Sequence, residues 1–183
     1  MHNLPNMITI SRIICIPLLA ILIISDSDLH IFIFTLYILA AISDFFDGYL
    51  ARKLNATSEF GKMLDPIADK LLVGILLLAM AASQYLDIFG LICAILILFR
   101  EIFVSGLREY FAGRLNLPVT FAAKLKTTTQ LIAIGFYLAA NIWAILTPFA
   151  LLLLILATLL TLYTGLIYFY EGVKFIKAAE ETK

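Results

Sequence analysis

SDFFDGYLARKLNATSEFGKMLDPIADK, residues 43–70, places four aspartates in a chain that is otherwise overwhelmingly apolar. Asp44 and Asp47 are three apart, and Asp65 and Asp69 are four apart, so on helices each pair shares one face. Gly48 lies one helical step after Asp44, and Gly61 one step before Asp65. The same faces therefore carry bare backbone, which admits close approach of a second helix or a ligand. Between the pairs, RKLNATSE (residues 52–59) reads as a short polar connection rich in turn and N-cap residues. Two antiparallel helices pointing four carboxylates at one another are the expected result.

Such a cluster needs compensation, because neighbouring like charges disfavour one another's ionisation. Each acid placed near lipid costs about 3 kcal/mol on insertion scales. Two divalent cations would cancel the charge of four ionised carboxylates. All-oxygen ligation without nearby His or Cys favours a hard ion such as Mg²⁺, Mn²⁺ or Ca²⁺. A solvated helix end with scattered acids is the blander reading; it leaves the repeated spacing and the accompanying glycines without a reason.

The remainder of the chain sets the context. Of 183 residues, 63% are hydrophobic and 14% charged, which excludes an ordinary soluble domain and leaves an integral membrane protein of one domain, residues 1–183. Zero formal net charge argues against a nucleic-acid partner. Cys15 and Cys93 both sit in apolar runs and read as small buried hydrophobes rather than as a disulfide or a metal site. Apolar segments long enough to cross a bilayer fall at 7–25, 30–51, 62–83, 87–110, 119–141 and 147–171. The fold class is therefore all-α, a bundle of six transmembrane helices, with short loops that make sequential helices antiparallel neighbours. The loops SDSDLH, SQYLD and NIWAILTP hold no Lys or Arg; the basic residues gather around 52–62, 108–126 and the tail. The positive-inside rule then places both termini and the Asp-bearing turn in the cytoplasm.

Pro5 suits the first turn of an N-terminal helix and Asn3 its cap. A cleavable signal peptide is the rival reading of residues 1–25, but a basic n-region and a small-x-small cleavage site are missing. Asn6, Thr9 and Arg12, three apart, make a stripe that faces the bundle interior or is simply interfacial polarity. Pro66 should kink or open the third helix. Arg52 meets an anionic ligand at the mouth of the site or snorkels, and Lys70 snorkels. In LFREIFVSGLREYFAGR (residues 98–114), Glu101, Ser105 and Arg108 form a polar stripe. An arginine as deep as Arg100 requires an anionic partner. Either Arg100 and Arg108 pair with Glu101, Glu109 or the aspartates, or they build a phosphate pocket, since guanidinium recognises phosphate bidentately. Lys124 and Lys126 open the fifth helix beside three threonines. Tyr163, Tyr168 and Tyr170 suit an interfacial belt or packing. The tail KFIKAAEETK reads as a solvated amphipathic end.

The pattern Asp44-x-x-Asp47-Gly48-x-x-Ala51-Arg52, eight residues, Gly61-x-x-x-Asp65-x-x-x-Asp69 resembles the signature of the CDP-alcohol phosphatidyltransferases at each of its eight fixed positions. Leu4-Pro5-Asn6 and Arg12 look like the family's N-terminal juxtamembrane element, which implies a short juxtamembrane helix that helps hold the cytidine nucleotide. Arg100-Glu101-Ile102, Ser105 to Glu109 and Lys124 to Thr128 resemble segments of its bacterial phosphatidylglycerophosphate synthase branch. The resemblance thus runs from residue 4 to about 130. It implies a membrane enzyme that transfers the phosphatidyl group of CDP-diacylglycerol to sn-glycerol 3-phosphate and releases CMP, with two Mg²⁺ or Mn²⁺ ions.

In that reading Asp44, Asp47, Asp65 and Asp69 bind metal, and Asp69 is the general base. Pro5, Asn6, Asp44, Gly48, Ala51, Arg52 and Gly61 hold CDP-diacylglycerol. Arg100, Arg108 and Lys124 bind the phosphate of the acceptor, with Thr9, Arg12, Ser105, Lys126 and Thr128 behind them. The resemblance also implies a homodimer in a bacterial inner membrane, with the site facing the cytoplasm. Sister transferases with serine, an inositol phosphate or phosphatidylglycerol as acceptor remain alternatives, and a cation transporter a more distant one.

Overall fold

The computed structural model describes residues 4–25, 28–53, 59–113 and 121–181, with backbone alone at 4–6, 44–53, 59, 62, 179 and 180. The described residues form α1 (Leu4–Ile24), α2 (His30–Lys53), α3 (Glu59–Ala82), α4 (Ile88–Tyr110), α5 (Phe121–Ala140) and α6 (Thr147–Glu181), with a 3₁₀ turn at Ala144–Leu146. Every expected apolar segment is a helix. The expected juxtamembrane helix is not separate: Leu4 to Ile24 is one continuous helix with Pro5 in its first turn, where a missing N–H costs nothing. α3 likewise runs through Pro66 without a break. Asp87 caps α4 by accepting a hydrogen bond from the Gly90 amide at 2.8 Å. Cys15 and Cys93 are free thiols.

The chain is a polytopic membrane protein. Among the described residues α1, α4 and α6 (with the 3₁₀ turn before it) are long and apolar enough to cross a bilayer, over Met7–Ile24, Ile88–Tyr110 and Ala144–Ala178. In α2 the described side chains form an apolar stretch at His30–Ser43. Large apolar side chains point outward along these helices; Ile102 is 74% exposed, Leu166 68% and Phe99 65%. Water would not tolerate so continuous a band, whereas lipid tails solvate it. At 35 residues, α6 is about 52 Å long, more than a bilayer core, so its last turns leave the hydrocarbon.

Packing departs from the expectation that neighbours in sequence are neighbours in space. Among the described residues α1 packs on both α2 and α3, which make no extended contact with each other. α6 packs in the same way on both α4 and α5. Two three-helix groups result, joined where α5 meets α2 and α3 and where α3 meets α4. The reason is legible in α1. Thr9, Arg12, Ile16, Leu19 and Ile23 are buried at alternating spacings of three and four, a seam that needs a partner on either side. Ile16, Leu19 and Ile23 join Leu72, Leu76 and Met80 of α3, Ile33 and Tyr37 of α2, Ile97 of α4 and Ile134 of α5 in one core. Tyr37 ties α2 to α5 by donating its hydroxyl to the Leu131 carbonyl at 2.5 Å.

Leu76 is fully buried, whereas Leu78, on the same helix, is 58% exposed. Leu76→Ala should destabilise the purified protein by about 2–5 kcal/mol, and Leu78→Ala by less than about 1 kcal/mol. Thermal unfolding in detergent checks the pair; equal losses would show that the core is not where the fold puts it.

Candidate active site

Four helices converge on a cavity of about 300 Å³. α3 contributes Asp65, Pro66, Asp69 and Lys70; α4 contributes Arg100, Glu101, Val104, Ser105 and Arg108. Ala123, Lys126 and Thr127 come from α5 and Tyr168 from α6. The second aspartate pair and both arginines singled out in the sequence thus face one space. The side chains of Asp44, Asp47, Gly48, Ala51 and Arg52, like those of Pro5 and Asn6, lie outside the described residues. Gly61 is half-buried on α3, one turn before Asp65.

Thr9 and Arg12 of the α1 stripe face inward. Thr9 donates its hydroxyl to Asp65 Oδ1 at 3.2 Å. Arg12, with a fully buried side chain, donates from Nε to Ser43 Oγ on α2 at 3.2 Å and places Nη1 3.6 Å from Asp69 Oδ1 on α3. One guanidinium therefore bridges the two aspartate-bearing helices. Asp65 and Asp69 present oxygen-only donors to a polar cavity, and the Asp69 side chain is 39% exposed. That chemistry fits a hard divalent cation. Among the described residues no group of three potential ligands forms.

The opposite wall is cationic. Arg100 is buried, donating from Nη2 to Thr164 Oγ1 at 2.9 Å and from Nη1 to Glu101 Oε1 at 3.2 Å. Lys126 donates to the same Glu101 oxygen, and Gln130 Nε2 approaches it at 3.5 Å while donating to Thr161 Oγ1 at 2.9 Å. Arg108 donates to the Tyr168 hydroxyl at 3.0 Å and lies 4.9 Å above that ring. Lys70 crosses from α3 to donate to Ser105 Oγ at 2.6 Å. It therefore lines the cavity rather than merely snorkelling. Among the described residues, Lys70, Arg100, Arg108 and Lys126 line the cavity together with Asp65, Asp69 and Glu101.

Arg100 pairs with Glu101 and also lines the cavity. Lys124 stands apart from these residues. It is exposed and does not line the cavity; Lys126 does, two residues and about 200° further around the helix. Thr128 is exposed as well, its hydroxyl donated to the Lys124 carbonyl. Ser105 lies in the wall as expected. Glu101, Tyr168 and Thr164 were not read as site residues. Glu101 belongs to the stripe with Ser105 and Arg108; the signal for Thr164 and Tyr168 is a polar stripe at Thr161, Thr164 and Tyr168, spaced three and four within an apolar run.

A family model described as CDP-alcohol phosphatidyltransferase matches residues 2–163. The chain belongs to the CDP-alcohol phosphatidyltransferase family. A CDP-diacylglycerol–glycerol-3-phosphate 3-phosphatidyltransferase of Rickettsia typhi is 42% identical over 174 residues, covering 92% of this chain and 96% of the relative. Proteins of the same name from Bacillus subtilis and Salmonella choleraesuis are each 36% identical. The first alignment covers 98% of this chain and all of the relative; the second covers 91% and 92%. The match of the CDP-alcohol phosphatidyltransferase model takes in α1, whose Thr9 and Arg12 reach the aspartates, and α6 as far as residue 163.

Glu101 is the anion shared by two enclosed cations. Glu101→Gln should cost about 3 kcal/mol of stability, because Arg100 and Lys126 would face each other uncompensated. Adding Lys126→Met should recover at least half of that loss. Unfolding midpoints of the single and double variants decide it, and a double variant weaker than the single would refute the pairing.

Proposed function

We propose that this chain transfers the phosphatidyl group from CDP-diacylglycerol to sn-glycerol 3-phosphate, giving phosphatidylglycerophosphate and CMP. The observation that carries the reading is the cavity itself, where Asp65 and Asp69 face Arg100, Arg108 and Lys126. The relatives bearing that enzyme name align over nearly the whole chain, which supports the same acceptor.

Asp44, Asp47, Asp65 and Asp69 would hold two Mg²⁺ or Mn²⁺ ions, which when bound neutralise the pyrophosphate and the charge gathering on the departing CMP. Gly48, Ala51, Arg52 and Gly61, with Pro5 and Asn6, line the nucleotide side. Arg100, Arg108 and Lys126 bind the acceptor's phosphate as charge-assisted donors. This holds the acceptor's 1-hydroxyl toward the aspartates, an arrangement that removes most of the entropy cost of bringing two substrates together. The hydroxyl oxygen attacks the phosphorus that carries diacylglycerol, Asp69 takes its proton, and the bond from that phosphorus to the CMP oxygen breaks. Thr9 and Arg12 hold Asp65 and Asp69 in place by the contacts described above.

The site opens to the cytoplasm of a bacterial inner membrane, with both termini on that side and a second copy completing a homodimer. Positive-inside topology and the position of the basic residues support the orientation. A cysteine at Ile176→Cys, in a background with Cys15 and Cys93 replaced, should react with an impermeant maleimide in inside-out vesicles and not in right-side-out ones. The reverse labelling would invert the topology.

CMP release from purified protein with CDP-diacylglycerol and Mg²⁺ should occur with sn-glycerol 3-phosphate and not with serine or an inositol phosphate. Asp65→Asn should abolish it at unchanged expression. Release with a different acceptor would overturn the pocket assignment, and near-normal activity of Asp65→Asn would remove the aspartate mechanism.

A further inference from the structure

Arg100 is the most enclosed cation of the cavity, 5% exposed, and its side chain crosses α6 at Gly165. A Cβ at that glycine would stand 2.9 Å from Arg100 Cγ and 3.2 Å from Nε. Carbon atoms in contact sit about 3.5–4.0 Å apart, so a side chain at 165 and the present path of Arg100 exclude each other. The conflict falls at the root of the arginine rather than at its flexible end, so the whole guanidinium would have to move. One residue earlier, Thr164 Oγ1 accepts from Nη2 at 2.9 Å. A guanidinium has five N–H donors. Thr164 and Glu101 take one each at the two terminal nitrogens, while buried Nε has no hydrogen-bond partner. Each terminal nitrogen therefore keeps a donor for an anion in the cavity.

We propose that Gly165 and Thr164 of α6 are positioning residues for the acceptor: the glycine makes the space through which Arg100 passes, and the threonine hydroxyl fixes the guanidinium toward the phosphate of a phosphomonoester. The proposal rests on the phosphate-pocket reading above and extends it to α6, which acts on the acceptor by holding Arg100 of α4. Because the arginine is already immobilised, the acceptor does not bear the cost of ordering it.

Gly172 supplies the internal comparison. Seven residues along the same helix, a Cβ there would meet the Phe111 ring at 2.7 Å. The packing conflict is as severe, but the displaced group is apolar. Gly165→Ala and Gly172→Ala thus place the same methyl group between α4 and α6, and the first alone displaces a cavity cation.

The test measures KM for sn-glycerol 3-phosphate at saturating CDP-diacylglycerol, and KM for CDP-diacylglycerol at saturating acceptor, in mixed micelles. Gly165→Ala should raise the acceptor KM about tenfold, the scale of one hydrogen bond to a charged group, and leave the lipid KM within about twofold. Thr164→Val, which keeps the side-chain volume, should raise the acceptor KM about three- to tenfold with the same selectivity. Gly172→Ala should lower the unfolding temperature and leave the ratio of the two constants unchanged. If Gly165→Ala does not fold, Thr164→Val alone decides. Equal changes in both constants, or no change in the acceptor KM, would overturn the positioning role. Parent protein that releases no CMP with sn-glycerol 3-phosphate would instead overturn the proposed function.

Discussion

Arg12 is the constraint on which the aspartate half of the molecule depends. A guanidinium with no exposed side-chain surface would be costly among apolar helices if it stood alone. Here it answers Ser43 on α2 and Asp69 on α3 together, and Thr9, one turn before it, answers Asp65. α1 is therefore more than a membrane anchor. It is the spacer that sets how far apart the two aspartate-bearing helices stand, with Ile16, Leu19 and Ile23 continuing the seam into the apolar core.

The cavity is organised by charge in two facing layers. Carboxylates of α3 make one wall, while cations of α4 and α5 make the other, with Lys70 reaching across from the aspartate side to Ser105. Cations so close would repel one another without a shared partner. Glu101 is that partner for Arg100 and Lys126, and Gln130 links it onward to Thr161. The result is a polar belt across α4, α5 and α6 with cationic donors directed at one space. A neutral pocket of the same volume would suit a different ligand, and a purely acidic one would bind cations without an acceptor.

The helices and the aspartate spacing were legible in the sequence because both are periodic signals carried by single segments. Which helices touch was not. Short loops suggest that α2 packs on α3; among the described residues α1 packs on both of them instead. Lys124 and Lys126 look alike in a linear reading, since both lie at the same helix end; the 200° between them decides which one meets the cavity. Thr164, Gly165 and Tyr168 were hidden differently. Small and hydroxyl residues are common in membrane helices for packing alone, so their stripe carries meaning only once Arg100 and Arg108 are seen against it.

The two wedges also impose an order of assembly. In the chain, α1 precedes both helices that it separates, whereas α6 follows both of its own. During synthesis the aspartate half can close around α1 as soon as α3 enters the bilayer. The cation half has to wait for Thr164 and Tyr168, when most of the chain has already been made. Until then Arg100 lies in the membrane with Glu101, its neighbour on the same helix, as a counter-ion that arrives with it. A chain released before residue 164 would carry the acidic wall of the cavity and lack the residues that brace the other.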